Sequence, residues 1–191
     1  MPVKRTITLY SIDELEDRAR EAALDSVRLA YGELVHEREA EIDGDLNKDL
    51  LTIGIRAQAN VVVDAYNNCR ADIGRKAKII DGTALLTRAG LTPTVERVEG
   101  IQGCVLNESG SVVPGDDDPT VLRLDDDSNS IALPAGEEEV VFRAIAEILG
   151  YAAAELAEEV EIMQTDEWAV DLCEANEVLF TAGGAYAGSR F

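Results

Sequence analysis

The sequence has few of the residues on which most metal and nucleophilic sites depend. It contains one histidine, His36, and three cysteines, Cys69, Cys104 and Cys173, among 191 residues. One histidine excludes an HExxH site, and three distant cysteines without a CxxC pair exclude the common zinc motifs. An odd number of isolated cysteines indicates plain buried thiols in a reducing compartment.

The common nucleotide and nucleophile motifs are also missing. No GxxxxGK[ST] phosphate loop and no GxSxG elbow occurs in the sequence. Gly183, Gly184 and Gly188 are not followed by a helical pattern, and we interpret them as part of a flexible tail. The sequence therefore predicts no enzymatic activity, no catalytic residues and no cofactor.

Long hydrophobic runs and a balancing positive charge are absent as well. No apolar run approaches the roughly 18 residues of a membrane-spanning helix, and the N-terminal segment lacks the apolar region of a secretory signal. The 38 acidic and 17 basic side chains give a formal net charge of −21, which repels the phosphates of nucleic acid. We expect neither membrane insertion nor direct binding to nucleic acid.

The negative charge is concentrated in the second half of the chain. Residues 1–94 contain 13 Lys or Arg and 16 Asp or Glu, whereas residues 95–191 contain 4 and 22. The net charges are therefore −3 and −18, and mutual repulsion of the unpaired acids costs folding stability. A solubilising surface explains such acids, and so does an interaction surface for a basic partner. On the second interpretation, the predicted partner-binding residues are Asp116, Asp117, Asp118, Asp125, Asp126, Asp127, Glu137, Glu138 and Glu139.

Hydrophobic periodicity predicts helices in the first half. Ser11 and Glu14 match the S-x-x-E capping box, and apolar residues recur at helical spacing over residues 12–31. Gly32 interrupts this pattern, so we expect a second short helix over residues 33–41.

A third, longer helix is predicted over residues 46–73. Apolar residues recur there every three or four positions. The β-branched run Val61-Val62-Val63 argues against this helix.

After Pro93 the pattern changes to short segments rich in Val, Leu and Ile. Gly, Pro, Asn and Asp separate these segments, which is typical of an antiparallel β-meander. The predicted strands are residues 94–99, 101–106, 110–113, 120–124 and 130–133.

Helical spacing returns near the C-terminus, over residues 136–161 and 165–176, before a predicted strand over 178–181. Together these elements predict an α+β fold with helices flanking a small antiparallel β-sheet. We expect a mainly helical part, residues 1–92, and an acidic part, residues 93–191, to pack as one compact domain.

One short segment has the alternating oxygen-bearing side chains of a calcium-binding loop. Lys48 stands where that loop needs glycine, and Gly54 stands where it needs a bidentate glutamate. We therefore interpret the segment as a polar loop between helices and expect no metal, with calcium binding as the alternative. The side chains are those of Asp43, Asp45, Asn47 and Asp49.

Both ends of the chain resemble a family of uncharacterised phage and mobile-element proteins. That family begins with a Tyr-x-Phe-Asp-Glu-Leu segment and an Ala- and charge-rich helix, and its members are sometimes described as antitoxin-like. Its Gln-Gly-Asp-Gly stretch is represented here at most by Gln102-Gly103. The similar segments are TLYSIDEL (8–15), RAREAA (18–23), TDE (165–167), EANE (174–177), Phe180-Thr181 and Gly183.

In composition the chain also resembles acidic anti-CRISPR and antirestriction inhibitors. This resemblance implies a phage or mobile-element protein in the cytoplasm of a bacterial host. Its expected partner is a basic nucleic-acid-binding host protein, with a CRISPR effector as the leading candidate, from which it would exclude DNA or RNA. The alternative is an antitoxin-like or regulatory module that binds through an apolar helix face containing Leu15, Val27 and Leu34. The target and the formation of a homodimer stay open.

Overall fold

The computed structural model describes residues 8–64, 67–74, 77–107, 111–114, 123–124, 133–134 and 136–189. Their arrangement is α+β, as the sequence predicts. A 3-10 turn, Ile12–Glu14, precedes the helices α1 (Asp17–Thr52), α2 (Gly82–Arg88), α3 (Val95–Ile101), α4 (Glu137–Met163) and α5 (Asp166–Ala175). The strands are β1 (Ile55–Arg56), β2 (Ala59–Val63), β3 (Cys69–Ile73), β4 (Ala77–Ile79), β5 (Val105–Asn107), β6 (Ser111–Val112), β7 (Arg123–Leu124), β8 (Val178–Phe180) and β9 (Tyr186–Ser189).

Helix α1 is much longer than the periodicity predicts. The backbone N–H of Ser11 donates to Glu14 Oε2 at 2.9 Å in the 3-10 turn, and α1 then continues from Asp17 to Thr52. The predicted interruption at Gly32 and the separate helix over 33–41 are therefore wrong. A glycine inside a helix costs only about 1 kcal/mol relative to alanine. Burial of several apolar side chains along α1 outweighs that cost.

The predicted helix over residues 46–73 is also wrong, because α1 ends at Thr52 and three strands follow within that range. Gly54 has φ +84°, and a Cβ there would lie 2.2 Å from the carbonyl oxygen of Asp81. The strands follow this turn, and Val61–Val63 lie in β2. The β-branched side chains thus adopt the conformation that they prefer.

All strand pairs within the described residues are antiparallel. One sheet has the order β1-β4-β5-β7, a second has the order β2-β3-β6, and β8 pairs with β9. In β3 the buried side chains alternate with half-buried ones, so that Cys69, Ala71 and Ile73 face the interior. This period of two is the pattern of a strand with one covered face.

Side chains of α1 cover the outer edge of β2. The backbone N–H of Val63 donates to Glu39 at 3.0 Å, and that of Val61 donates to Asp43 at 2.6 Å. Asn47 accepts from the N–H of Ala59 at 2.9 Å and donates to its carbonyl at 2.7 Å. Four residues along a helix span about 6 Å, and two residues along a strand span about 6.6 Å. Every fourth side chain of α1 can therefore reach every second backbone N–H of β2. An otherwise unpaired sheet edge is thereby satisfied.

The second half confirms the predicted helices but not the predicted β-meander, because β5 pairs with β4 and β7 whereas β6 pairs with β3. Helices α4 and α5 confirm the predicted helices, and Thr165 caps α5 by accepting from the N–H of Trp168. Strands β6, β7 and β8 lie within predicted strands, whereas β5 overlaps only the end of the predicted strand 101–106. Residues 94–99 are a correction: they belong largely to α3, whose cap is Thr94 Oγ1 accepting from the N–H of Arg97. Residues 130–132 lie outside the described residues.

Gly183 and Gly184 form a turn and Gly188 lies in β9, so these glycines are not part of a flexible tail. The N–H of Gly184 donates to the carbonyl of Thr181 at 2.9 Å, between β8 and β9. Gly184 has φ +81°, and a Cβ there would lie 2.0 Å from the carbonyl oxygen of Ala19. The close approach of two backbones requires glycine at this position.

The chain divides into two compact units, and the division falls inside α1 and α4. The first unit comprises residues 1–36 and 159–191, and the second comprises residues 37–158. The first has a core of Ile12, Ala23, Leu24, Ala169, Cys173 and Phe180. Buried side chains of the second include Leu46, Leu50, Ile55, Ile79, Leu85, Leu106, Ile145 and Leu149.

Candidate partner-binding surface

Most of the predicted partner-binding residues lie outside the part of the chain that the structure describes. These are the six aspartates Asp116, Asp117, Asp118, Asp125, Asp126 and Asp127. Glu137, Glu138 and Glu139 form the first turn of α4, where the helix dipole favours acids. That these nine residues bind a partner therefore stays a prediction.

Two of the three glutamates have cationic partners within the chain. Glu137 is only 19% exposed and accepts two hydrogen bonds from the guanidinium of Arg97, one of them at 2.8 Å from Nε. This hydrogen bonding raises the pKa of Arg97. Glu139 accepts from Arg143 at 3.0 Å. Glu137 therefore ties α3 to α4, whereas Glu138 is half-buried and Glu139 is exposed.

A row of exposed acids that the sequence interpretation missed runs along α1. Its members recur every four residues, so they lie on one side of the helix about 6 Å apart. Lys48 donates to Asp45 at 2.6 Å, which lowers the pKa of that carboxyl. Arg38 donates to Glu41 at 2.7 Å. The row, here called the α1 acidic row, is Glu37, Glu41, Asp45 and Asp49.

Next to the α1 acidic row is an open cleft of about 390 Å³ within the second unit. Its lining combines apolar and charged side chains of α1, α2 and α4 with one residue just after α1, Ile53. Tyr151 on its edge is 71% exposed, an unusual position for a large aromatic ring. The lining, here called the α1–α4 cleft, is Ile42, Asp45, Leu46, Asp49, Thr52, Ile53, Arg88, Ile148, Tyr151, Ala152 and Glu155.

The structure contradicts the loop on which the calcium hypothesis depended. Asp43 and Asn47 lie in the middle of α1 and bind the backbone of β2. Burial raises the pKa of Asp43, and its hydrogen bond from Val61 opposes that shift. Asp45 and Asp49 lie on the exposed side instead. Within the described residues, no group of three or more His, Cys, Asp or Glu is arranged to hold a metal.

The three cysteines are buried free thiols, as the sequence predicts. Cys69, Cys104 and Cys173 are each less than 5% exposed. Burial raises the pKa of all three thiols and so disfavours the reactive thiolate. His36 is exposed on α1, as expected of a histidine among surface charges.

The antitoxin-like alternative depends on three apolar side chains, two of which pack within the first unit. Leu15 and Val27 pack against the core that contains Leu24 and Phe180. Leu34 is half-buried. Leu15 and Val27 therefore contribute to the core of the first unit, and all three side chains are only partly exposed.

The first unit contains one unusual contact between acids. The neighbouring carboxylate of Asp13 raises the pKa of Glu174 on α5. Arg20 Nη2 lies 3.7 Å from Asp13 Oδ1 and partly offsets the repulsion. Two carboxyl groups in contact favour sharing of a proton.

Comparisons with known proteins leave the resemblance at the two termini as a prediction. A scan of protein-family models, a search of curated proteins and a search of solved structures all returned no match. None of the described helices combines the length and apolar character needed to cross a bilayer.

Proposed function

We propose that this chain is an acidic, non-enzymatic inhibitor of phage or mobile-element type that binds a basic nucleic-acid-binding host protein. Binding would block the access of DNA or RNA to that protein, for example to a CRISPR effector. The observation that carries the proposal is the charge distribution, with 22 acids and 4 basic residues over residues 95–191. That half has far too few cations to neutralise its own acids.

The described surface supports a role in binding positive charge. The α1 acidic row presents a carboxylate about every 6 Å along a rigid helix. On α4, Glu147 is 45% exposed beside Arg88, and Glu155 is 54% exposed beside Arg38. Nucleic acid also presents closely spaced negative charges on a stiff backbone, and its binders offer Lys and Arg to them. A protein with this surface can occupy the same basic site.

The charge also predicts how the complex forms. Opposite charges steer the encounter of two proteins and accelerate association, and salt weakens that effect. The antitoxin-like alternative predicts an apolar interface that resists salt. Packing of Leu15 and Val27 in the first unit favours the charged interface.

The test is a capture and competition experiment. The chain is immobilised, exposed to bacterial lysate at low salt, and washed at low salt or at about 0.5 M salt, where screening acts within a few Å. A captured nucleic-acid-binding protein is then purified, and displacement of its DNA by the chain is measured in a mobility-shift assay. We expect capture at low salt only and displacement of DNA. Capture that survives high salt without displacement would favour the alternative.

A matched pair of variants tests whether the two predicted aspartate runs are responsible for the displacement of DNA. One variant replaces the six aspartates of residues 116–118 and 125–127 with asparagine. It spares Glu137 and Glu139, whose loss would break ion pairs with Arg97 and Arg143. We expect this variant to lose competition and the control, with an equal change in net charge, to keep it. The control neutralises Glu16, Asp17, Glu21, Glu161, Glu167 and Asp171, all exposed in the first unit.

A further inference from the structure

The α1–α4 cleft has the composition of a site for one long cationic side chain. Ile42 and Leu46 are buried at its base, and Ile148 and Ala152 add apolar surface from α4. Charged side chains lie around these apolar residues. A side chain with an aliphatic stem and a charged end can satisfy both parts at once.

Carboxylates outnumber cations in the cleft. Asp45, Asp49 and Glu155 line it, against one arginine, Arg88. Asp45 accepts from Lys48 at 2.6 Å, and Glu155 accepts from Arg38 at 3.0 Å. Arg88 Nη2 lies 3.5 Å from Glu147 outside the lining, so its charge is already partly balanced. Among the described residues, Asp49 has no ion-pair partner. The charge of Asp49 is therefore the one in the cleft that a cation from outside can balance.

Tyr151 distinguishes between the two cationic side chains. Its ring is exposed at the edge of the cleft. A guanidinium group stacks on aromatic rings and binds carboxylates through two hydrogen bonds, whereas an ammonium group is a compact, strongly hydrated charge. An uncharged apolar segment would bury the Asp49 carboxylate without a partner, which is costly. Arginine fits all the chemical features of the cleft.

We propose that the α1–α4 cleft binds an arginine side chain of a basic partner protein. The guanidinium would lie between Asp49 and the ring of Tyr151, with its stem against Ile42 and Ile148. This proposal deepens the proposed function and rests on it for the identity of the partner. It adds a specific contact point to a surface otherwise defined only by charge.

The experiment titrates the full chain with two fluorescein-labelled peptides of equal length, one of arginine and one of lysine, and follows fluorescence anisotropy. We expect tighter binding of the arginine peptide. Asp49→Asn removes a charge-assisted contact and should weaken that binding about tenfold. Tyr151→Ala should reduce the preference for arginine over lysine. The matched control is Glu37→Gln, which changes the charge equally on the same acidic row but outside the cleft. It should weaken binding less than about twofold.

The outcomes separate this proposal from the proposed function. Equal weakening of peptide binding by Asp49→Asn and Glu37→Gln would overturn the proposal that the cleft binds arginine. Equal binding of the arginine and lysine peptides would overturn it as well. Neither result would contradict the proposed function as a charge-based inhibitor. Failure of both the peptides and every basic lysate protein to bind at low salt would overturn both proposals. Sedimentation tests a second copy as the occupant: a dimer that Tyr151→Ala dissociates would overturn the arginine assignment. Thermal melting checks that each variant, altered at an exposed position, is folded.

Discussion

The carboxylate of Asp43 accepts a hydrogen bond from the backbone N–H of Val61 at 2.6 Å, joining the middle of a helix to the edge of a strand. Glu39 and Asn47 make the equivalent contacts one helical turn away on each side. The three side chains together replace a neighbouring strand. The acids on this side of α1 thus have a structural role, whereas those of the α1 acidic row are exposed.

Removal of the Asp43 carboxylate should destabilise the fold. Asp43→Ala leaves the Val61 N–H without a partner, and we expect the free energy of unfolding in urea to fall by about 1–3 kcal/mol. Asp43→Asn retains an acceptor oxygen and should lose less. Asp49→Ala, on the exposed side of the same helix, is the control and should change stability by less than about 0.5 kcal/mol. Equal losses for Asp43→Ala and Asp49→Ala would contradict the edge contact.

The ion pair between Arg97 and Glu137 should contribute more than the exposed pairs. Its side chains are 26% and 19% exposed and form two hydrogen bonds. A double-mutant cycle with Arg97→Met and Glu137→Gln should give a coupling of about 1–3 kcal/mol. The same cycle on Lys48 and Asp45, 76% and 75% exposed, should give no more than about 0.5 kcal/mol. Similar coupling free energies for the two pairs would show that the partial burial of Arg97 and Glu137 does not strengthen their interaction.

Gly184 should tolerate no side chain. Its φ is +81°, and a Cβ would lie 2.0 Å from the carbonyl oxygen of Ala19. We expect Gly184→Ala to lower the free energy of unfolding by at least about 2 kcal/mol. Gly183→Ala is the control, because a Cβ there meets nothing within 4 Å. A normal melting temperature for Gly184→Ala would mean that the β8–β9 turn does not pack closely on α1.

The contact between Asp13 and Glu174 should make stability depend on pH. The folded-state pKa of Glu174 is raised above 4.5, its ordinary value. The stabilising contribution is therefore present below about pH 4.5 and is lost as pH rises through the folded-state pKa. Glu174→Gln stays neutral and should melt at a higher temperature than the native chain at pH 7, with the difference disappearing near pH 4. An equal difference at both pH values would exclude titration of Glu174 as the cause, and Glu21→Gln controls for loss of one exposed acid from the same unit.

Helices α4 and α5 could be predicted from sequence because their information is local. Acids occupy the first turn of each, and Thr165 supplies the cap of α5 within its own segment. The α1 acidic row was also visible as acids repeating every four residues, but its members were divided between two other interpretations. The α1–α4 cleft could not be predicted, since α2 and α4 join α1 there from far along the chain.

The sequence by itself determined the strongly negative charge, its concentration after residue 94, and the α+β class, because composition and local periodicity decide these properties. Only the tertiary structure decided that residues 55–63 are strands and that Asp43 and Asn47 bind a sheet edge rather than a metal. A short apolar segment suits a helix or a strand equally well. Which one forms depends on backbone hydrogen bonds to partners distant in the sequence, here β3 and β4 on one side and the side chains of α1 on the other.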